Sequence, residues 1–304
     1  MNLPAVSIVI RSKNDATLID QTLSSIQSQD YPSPIRKIHI DSGSTDGTCD
    51  IIEKYRPDQF LRIRAEDYVP GRVLNTGMKL SSEDWVVFLN SDAAPIGRDW
   101  LTNLLKTTLS SQGNTRGIGA VFGRQVPRPD CHAVYAHDYE RCFGPQRESK
   151  KWGHFFSMVS SAVSRAAWLE QPFREDLQYS EDEEWSRRLK KKGWDVVYVE
   201  DSVVMHSHNY TPSQAKRRCY GESFASAAIE ESLRPSDYNF LKTVILGGTK
   251  EIVKDLIYCA KTRRLHEWPH AIAIRYAQRI GKRKGFLAGC QHYRRAGLQA
   301  AEKQ

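Results

Sequence analysis

The sequence predicts an α/β fold with a parallel central sheet and a basic helical extension, and three observations predict it. The N-terminal third runs strand, helix, strand, loop, helix, an order that implies βαβ units and parallel strands. The stretch Trp85-Val86-Val87-Phe88-Leu89 is apolar without alternation, as in a strand covered on both faces, and stops at Asn90-Ser91-Asp92 with Pro95 beyond. Charge is unevenly placed. Residues 241–304 hold 14 Lys/Arg against 4 Asp/Glu, whereas the other 240 residues carry a net charge of −2.

The bulk composition bounds the class. At 304 residues the chain can bury a large core, and 40% hydrophobic with 26% charged content is ordinary for a globular protein. No run of 18 apolar residues predicts a spanning helix, and Met1–Ile10 has no signal-peptide pattern. Six cysteines without Cys-x-x-Cys spacing read as reduced thiols of a cytosolic protein.

Taken in order, Ala5–Ile10 is the first strand, and apolar spacing predicts a helix over 17–28, ended by Tyr31-Pro32 and Pro34. Ile35–Ile40 is the second strand, closing on Asp41-Ser42-Gly43-Ser44-Thr45-Asp46-Gly47-Thr48, with a helix over 48–55. A strand near 60–63 follows, then a helix opened by Pro70-Gly71-Arg72. The long apolar strand comes next, then a helix over 99–109 and a strand over 119–125. Residues 127–155 are rich in Pro, Gly and His with little periodicity and read as a long loop or mobile segment. Ser157–Ser164 is a strand, 168–173 a turn or short helix and Glu181–Lys191 a charged helix. Asp195–Val199 and Val203–Met205 are strands, His206-Ser207-His208 follows, and the pattern is helical from Ser213.

A lone Asp after a strand is most often a turn or cap, and Asp41, Asp46 and the Ser180–Glu183 run each have such a reading. Their order along the chain decides otherwise. Val6–Ile10, Asn14, Gln29-Asp30-Tyr31-Pro32, Asp41–Thr48, Arg72 with Asn75 and Gly77, and Phe88–Asp92 resemble glycosyltransferase family 2 over residues 5–110. The resemblance resumes at Ser180–Trp185. Gly123-Arg124-Gln125-Val126-Pro127 and His206–Tyr210 look like its rhamnosyltransferase-like bacterial subgroup.

That resemblance implies the GT-A nucleotide-sugar fold, a Rossmann-like, mostly parallel sheet flanked by helices. It implies a catalytic domain over 1–225, with a nucleotide half over about 1–125 and an acceptor half over about 126–225. Residues 226–304 form a basic helical extension. The implied reaction moves a sugar with inversion from a UDP- or dTDP-sugar to a hydroxyl of a glycan or lipid-linked acceptor. Asp41 and Asp15, with Arg11, Arg72 and Ser91, would meet the nucleotide. A departing diphosphate needs positive charge, which Mg²⁺ or Mn²⁺ supplies on oxygen ligands. Asp92 would hold that ion with His206. Asn90, a neutral substitute where many relatives have Asp, and His208 are further candidates. An acceptor hydroxyl must lose its proton as it attacks, and Asp182 is the candidate base, with Glu181 beside it. Arg124 and Gln125 are acceptor candidates. The rings of Trp152, Trp168 and Trp185 suit either sugar stacking or core packing.

The basic tail suggests either an anionic membrane surface as partner, peripheral at the inner face of the plasma membrane, or a helical subdomain packed on the catalytic body. A non-catalytic nucleotide or nucleic-acid binder is the competing class. It lacks Gly-x-x-x-x-Gly-Lys-[Ser/Thr] and any interleaved aromatic–basic stripe, so no specific nucleic acid is expected. The Asn90 substitution also leaves a degenerate transferase open.

Overall fold

The computed structural model describes residues 3–109, 116–230 and 232–301. They fall into two compact units: Met1–Arg128, Tyr139–Leu177 and Glu181–Ser207 in the first, and Pro129–Asp138, Gln178–Ser180 and His208–Gln304 in the second.

The first unit holds one eight-stranded sheet. Its strands are β1 (Val6–Ser12), β2 (Ile35–Asp41), β3 (Gln59–Arg62), β4 (Trp85–Asn90), β5 (Ala94–Pro95), β6 (Ile118–Val126), β7 (Ser160–Ser164) and β8 (Asp195–Met205), in the order β3-β2-β1-β4-β7-β6-β8-β5. β3, β2, β1 and β4 are mutually parallel and β6 is parallel to β8, whereas β7 pairs antiparallel with both β4 and β6, and β5 antiparallel with β8. The sheet is therefore mixed.

Strand alternation explains the unbroken apolar runs. Ile8, Ile10, Val87 and Leu89 face one core with Ile19, Leu23 and Ile26 of α1 (Ile19–Gln27), Ile52 of α2 (Thr48–Lys54) and Leu101, Leu104 and Leu105 of α4 (Trp100–Lys106). Val9, Val86 and Phe88 face the other, with Val73, Leu74 and Met78 of α3 (Pro70–Leu80), Trp168 of α6 (Arg165–Glu170) and Trp185 and Leu189 of α7 (Glu181–Lys191). Helices thus cover both faces, and each central strand must be apolar on both sides.

Two segments differ from the sequence expectation. Residues 127–155 contain α5 (Ala133–Phe143) and a short 3-10 turn at Glu148–Lys151. The two strands expected after 195 are a single β8, because a register shift opposite Gly123/Arg124 absorbs the polar Glu200-Asp201 pair.

The second unit is helical. Its main helices are α8 (Pro212–Ile229), α9 (Gly247–Lys261) and α10 (Trp268–Ala301). Thr211 caps α8 through a reciprocal box with Gln214. α8 and α10 pack backbone to backbone. A Cβ on Gly281, Gly285 or Gly289 would lie 2.3, 2.1 or 2.5 Å from the carbonyl oxygen of Lys216, Tyr220 or Phe224. A buried ion cluster ties the helices further. The Arg275 guanidinium donates to Asp255 (2.7 Å) and Asp138 (2.8 Å), and His137 Nδ1 lies 2.7 Å from Asp255. No described helix is long and apolar enough to cross a membrane.

Candidate active site

The candidate residues of the first unit gather at the C-terminal ends of β1, β2 and β4, at the N-terminus of α7 and at the end of β8, where α/β sheets commonly place ligands. At the end of β2 the Asp41 carboxylate is fully buried and accepts from Ser12 Oγ (2.8 Å), Gly43 N (3.1 Å), Ser44 N (2.8 Å) and Ser44 Oγ (2.6 Å). Burial alone would raise its pKa. The hydrogen bonds of Ser44, Ser12 and Cys49 outweigh that and hold it below the usual carboxylate range. Within the chain, then, Asp41 shapes its loop. The neighbouring loop is tied to it, since Asn14 N donates to Ser44 Oγ (2.8 Å) and Thr45 N to Asn14 Oδ1 (2.9 Å).

Asp15 accepts a short hydrogen bond from the Ser91 hydroxyl, which joins the β1 and β4 loops. Burial, then the nearby charges of Asp92 and Asp46, push its carboxyl up. Asp46 is exposed and accepts from Thr48, as a loop residue does.

One residue on, Asp92 is buried and its Oδ2 lies 3.5 Å from Nε2 of the buried His206. The ring is oriented from its other side. His206 Nδ1 meets Gln125 Oε1 at 2.9 Å and the Tyr139 hydroxyl at 3.0 Å, and Gln125 in turn donates Nε2–H to Ser157 Oγ (2.9 Å). With Gln125 Oε1 accepting, Nδ1 donates and the ring is turned so that Nε2 points toward the Asp92 carboxylate. Such an arrangement suits a shared cation, and oxygen with imidazole nitrogen is a donor set that Mn²⁺ accepts. Arg128, which the sequence reading missed, donates to the Asp92 carbonyl at 2.6 Å and to Gln21 Oε1 at 3.2 Å. His208 is two residues past His206, in the second unit.

Arg11 links this end of β4 to α7. Its Nη2 donates to Asn90 Oδ1 at 2.7 Å, and its Nη1 lies 3.9 Å from Glu181 Oε1, both side chains being nearly buried. Asn90 therefore faces a guanidinium. The next residue, Asp182, accepts from the Glu183 amide at 2.8 Å. Part of its surface is open, yet protein surrounds the carboxyl, and that desolvation with the Glu181 charge raises it from 3.8 to about 7. Ser180, immediately before the pair, has φ 59°, a conformation that non-glycine residues adopt at an energetic penalty.

Other candidates lie elsewhere. Trp185 is fully buried, donates Nε1–H to the Gln171 carbonyl (2.6 Å) and stacks on Phe173 (4.6 Å), so it packs the core and presents no ring to an acceptor. Gln125 is buried as a support for His206. Arg124, beside it, is partly exposed. Trp168 is also buried, and of the three tryptophans only Trp152 is exposed. Arg72 is half-exposed, lies 3.5 Å from Glu175, and lines a shallow cavity of about 270 Å³ with Arg62, Arg64 and Thr76. The Asn75 of its motif locks the fold: Oδ1 accepts from Trp168 Nε1 (2.9 Å) and Phe173 N (3.0 Å), and Nδ2 donates to the Phe173 carbonyl (2.9 Å).

The family model described as Glycosyl transferase family 2 matches residues 7–166, more than half of the chain. The protein belongs to glycosyl transferase family 2. It is similar to the O-antigen chain rhamnosyltransferase RfbN of Salmonella typhimurium, 29% identical over 71% of this chain and 70% of the relative. It is also similar to the O-antigen chain rhamnosyltransferase WbaN of Salmonella anatum, 28% identical over 72% and 71%. Among solved structures, this family 2 chain resembles the mannosyltransferase PcManGT of Pyrobaculum calidifontis in complex with GDP-Man and Mn²⁺. The TM-score is 0.61 at 22% identity, over 95% of this chain and 86% of that one. It also resembles S. aureus TarS 1-349 in complex with UDP-GlcNAc, with TM-score 0.55 at 15% identity over 96% and 92%. At these identities the likeness carries the fold, and the fold is the expected GT-A architecture.

Proposed function

We propose that this family 2 transferase moves a sugar, rhamnose-like in class, from a UDP- or dTDP-sugar to a hydroxyl of a glycan or lipid-linked acceptor in bacterial surface-polysaccharide synthesis. Inversion occurs at the anomeric carbon in a single displacement. The observation that carries the proposal is the continuity of Asp92–His206, Asn90–Arg11 and Glu181-Asp182 around one strand end. The RfbN and WbaN likenesses support the glycan context.

Each residue has a part in this proposal. Asp92 and His206 would hold Mg²⁺ or Mn²⁺, with His208 as a candidate third ligand from its place in the sequence. The ion, when bound, neutralises charge growing on the departing diphosphate. Arg128 orients the Asp92 loop. Asp41 and Asp15 face the nucleotide base. A base N–H reaches Asp41 by displacing the Ser12 or Ser44 hydroxyl from Oδ2. Asp182, its carboxyl raised to about 7 by burial and the Glu181 charge, takes the acceptor proton, and Arg11 restrains Glu181 beside it. Residues 1–225 are kept as the catalytic region. The basic helical extension is assigned to an anionic membrane surface, at the inner face of the plasma membrane where a lipid-linked acceptor would lie.

The test is donor turnover. A panel of nucleotide-diphosphate sugars with Mn²⁺ and a lipid-linked acceptor should give nucleotide-diphosphate release and a product of inverted anomeric configuration. A product of retained configuration, or full turnover in both Asp92→Ala and Asp182→Ala, would rule the assignment out.

A further inference from the structure

Helix α9 carries its two acids inside and a row of apolar side chains outside. Its inward face holds Gly248, Glu251, Ile252, Asp255 and Cys259. Glu251 and Asp255, the two acids between Lys242 and Lys261, are both buried. Glu251 pairs with Arg279 at 3.4 Å and Asp255 with Arg275 at 2.7 Å. At about 100° per residue, Val253 and Ile257 project roughly 160° away from Asp255. They are 49% and 51% exposed, and Leu246, on the same line, is 59% exposed. The π-helical turn Leu241–Leu246, which runs directly into α9, adds Leu241, and Phe240 just before it is also exposed. Lys250, Lys254 and Lys261 lie together along one side of this stripe, so that border is positively charged.

An exposed apolar stripe that folding does not cover needs a reason. A second copy of this chain is a poor occupant, because an antiparallel isologous contact would set one lysine row against the other. Nucleic acid would use the lysines and waste the apolar centre. An anionic bilayer uses both, with acyl chains for Leu246, Val253 and Ile257 and lipid phosphates for the lysines. We propose that the outward face of 240–261 is the surface on which this protein lies at an anionic lipid interface. The proposal rests on the membrane partner named above and not on the transfer chemistry.

The test is co-sedimentation of the full chain with vesicles of phosphatidylcholine alone or mixed with phosphatidylglycerol. Binding is expected on the mixed vesicles and weakened by salt. Lys250→Gln with Lys254→Gln should weaken it roughly thirtyfold. Leu246→Ser with Val253→Ser and Ile257→Ser should weaken it at least about tenfold. Melting temperature and turnover on a soluble acceptor should not change. Binding that survives the serine variant, or no binding by the unaltered chain, overturns the proposal. So does light scattering that finds a dimer which the serine variant breaks. Vesicle binding without donor turnover would sink the transferase reading and leave this surface standing.

Discussion

Arg11 Nη2 donates to Asn90 Oδ1 at 2.7 Å, so the neutral residue that ends β4 is held by the same guanidinium that lies 3.9 Å from Glu181. Arg11→Met removes the donor and the positive charge together. The Asn90 carbonyl then loses its partner in a half-buried place, and stability should fall by about 1–3 kcal/mol. The charge of Glu181 also loses the Arg11 counterweight, so the ascending limb of the pH–rate profile should move to higher pH. Thermal melting and the profile check the two effects separately.

Asp182 sets that limb. Its carboxyl is raised from 3.8 to about 7, so the native state holds a proton that the unfolded chain releases near pH 4. A raised acid stabilises the fold fully below the unfolded value and loses that contribution as pH rises through about 7. Stability should therefore decline across this window, and Asp182→Asn should flatten the decline. Activity moves the opposite way, because the base acts only when ionised. Turnover should climb through about pH 7, and the Asn variant should lose about 10²–10⁴-fold.

Chelation should abolish transfer, and added Mn²⁺ or Mg²⁺ should restore it. Gln125→Leu leaves both proposed ligands in place but removes one of the two partners that orient the His206 ring, leaving the Tyr139 hydroxyl. Metal affinity read by Mn²⁺ titration should drop about 10–100-fold. Unchanged affinity would mean that Gln125 does not position His206.

Asn75 predicts a pure stability effect. Asn75→Leu strands the Trp168 indole N–H and the Phe173 amide in the core, a loss of about 3 kcal/mol or more. The exposed neighbouring Lys79→Ala should stay within about 0.5 kcal/mol. Urea unfolding of the two variants decides.

Much of the first unit was legible because its central strands face two cores. Ile8 and Val9, or Val87 and Phe88, must both be apolar, and the carboxylates of Asp41 and Asp92 mark where those strands stop. The sequence hid what depends on distant pairing. Gln125 meets His206 across 81 residues, and Arg128 reaches the Asp92 carbonyl across 36. α5 has the pattern of a loop because its polar residues have partners inside the protein, with Asp138 held by Arg275. Trp185 sits in a helix so charged that its full burial against Phe173 could not be told from sugar stacking. β8 looked like two strands because Glu200-Asp201 interrupts an apolar run that the register shift carries past.

The glycine ladder of α10 and the Arg275 cluster occupy one continuous helix, and that couples their phases. Arg275 must turn toward Asp255 and Asp138 while Gly281, Gly285 and Gly289 turn toward Lys216, Tyr220 and Phe224. One residue inserted between Arg275 and Gly281 would swing the ladder by about 100° and drive a side chain into the α8 backbone. Length variation in homologues should therefore avoid this interval and collect where the two phases are independent, such as the turn between α9 and α10.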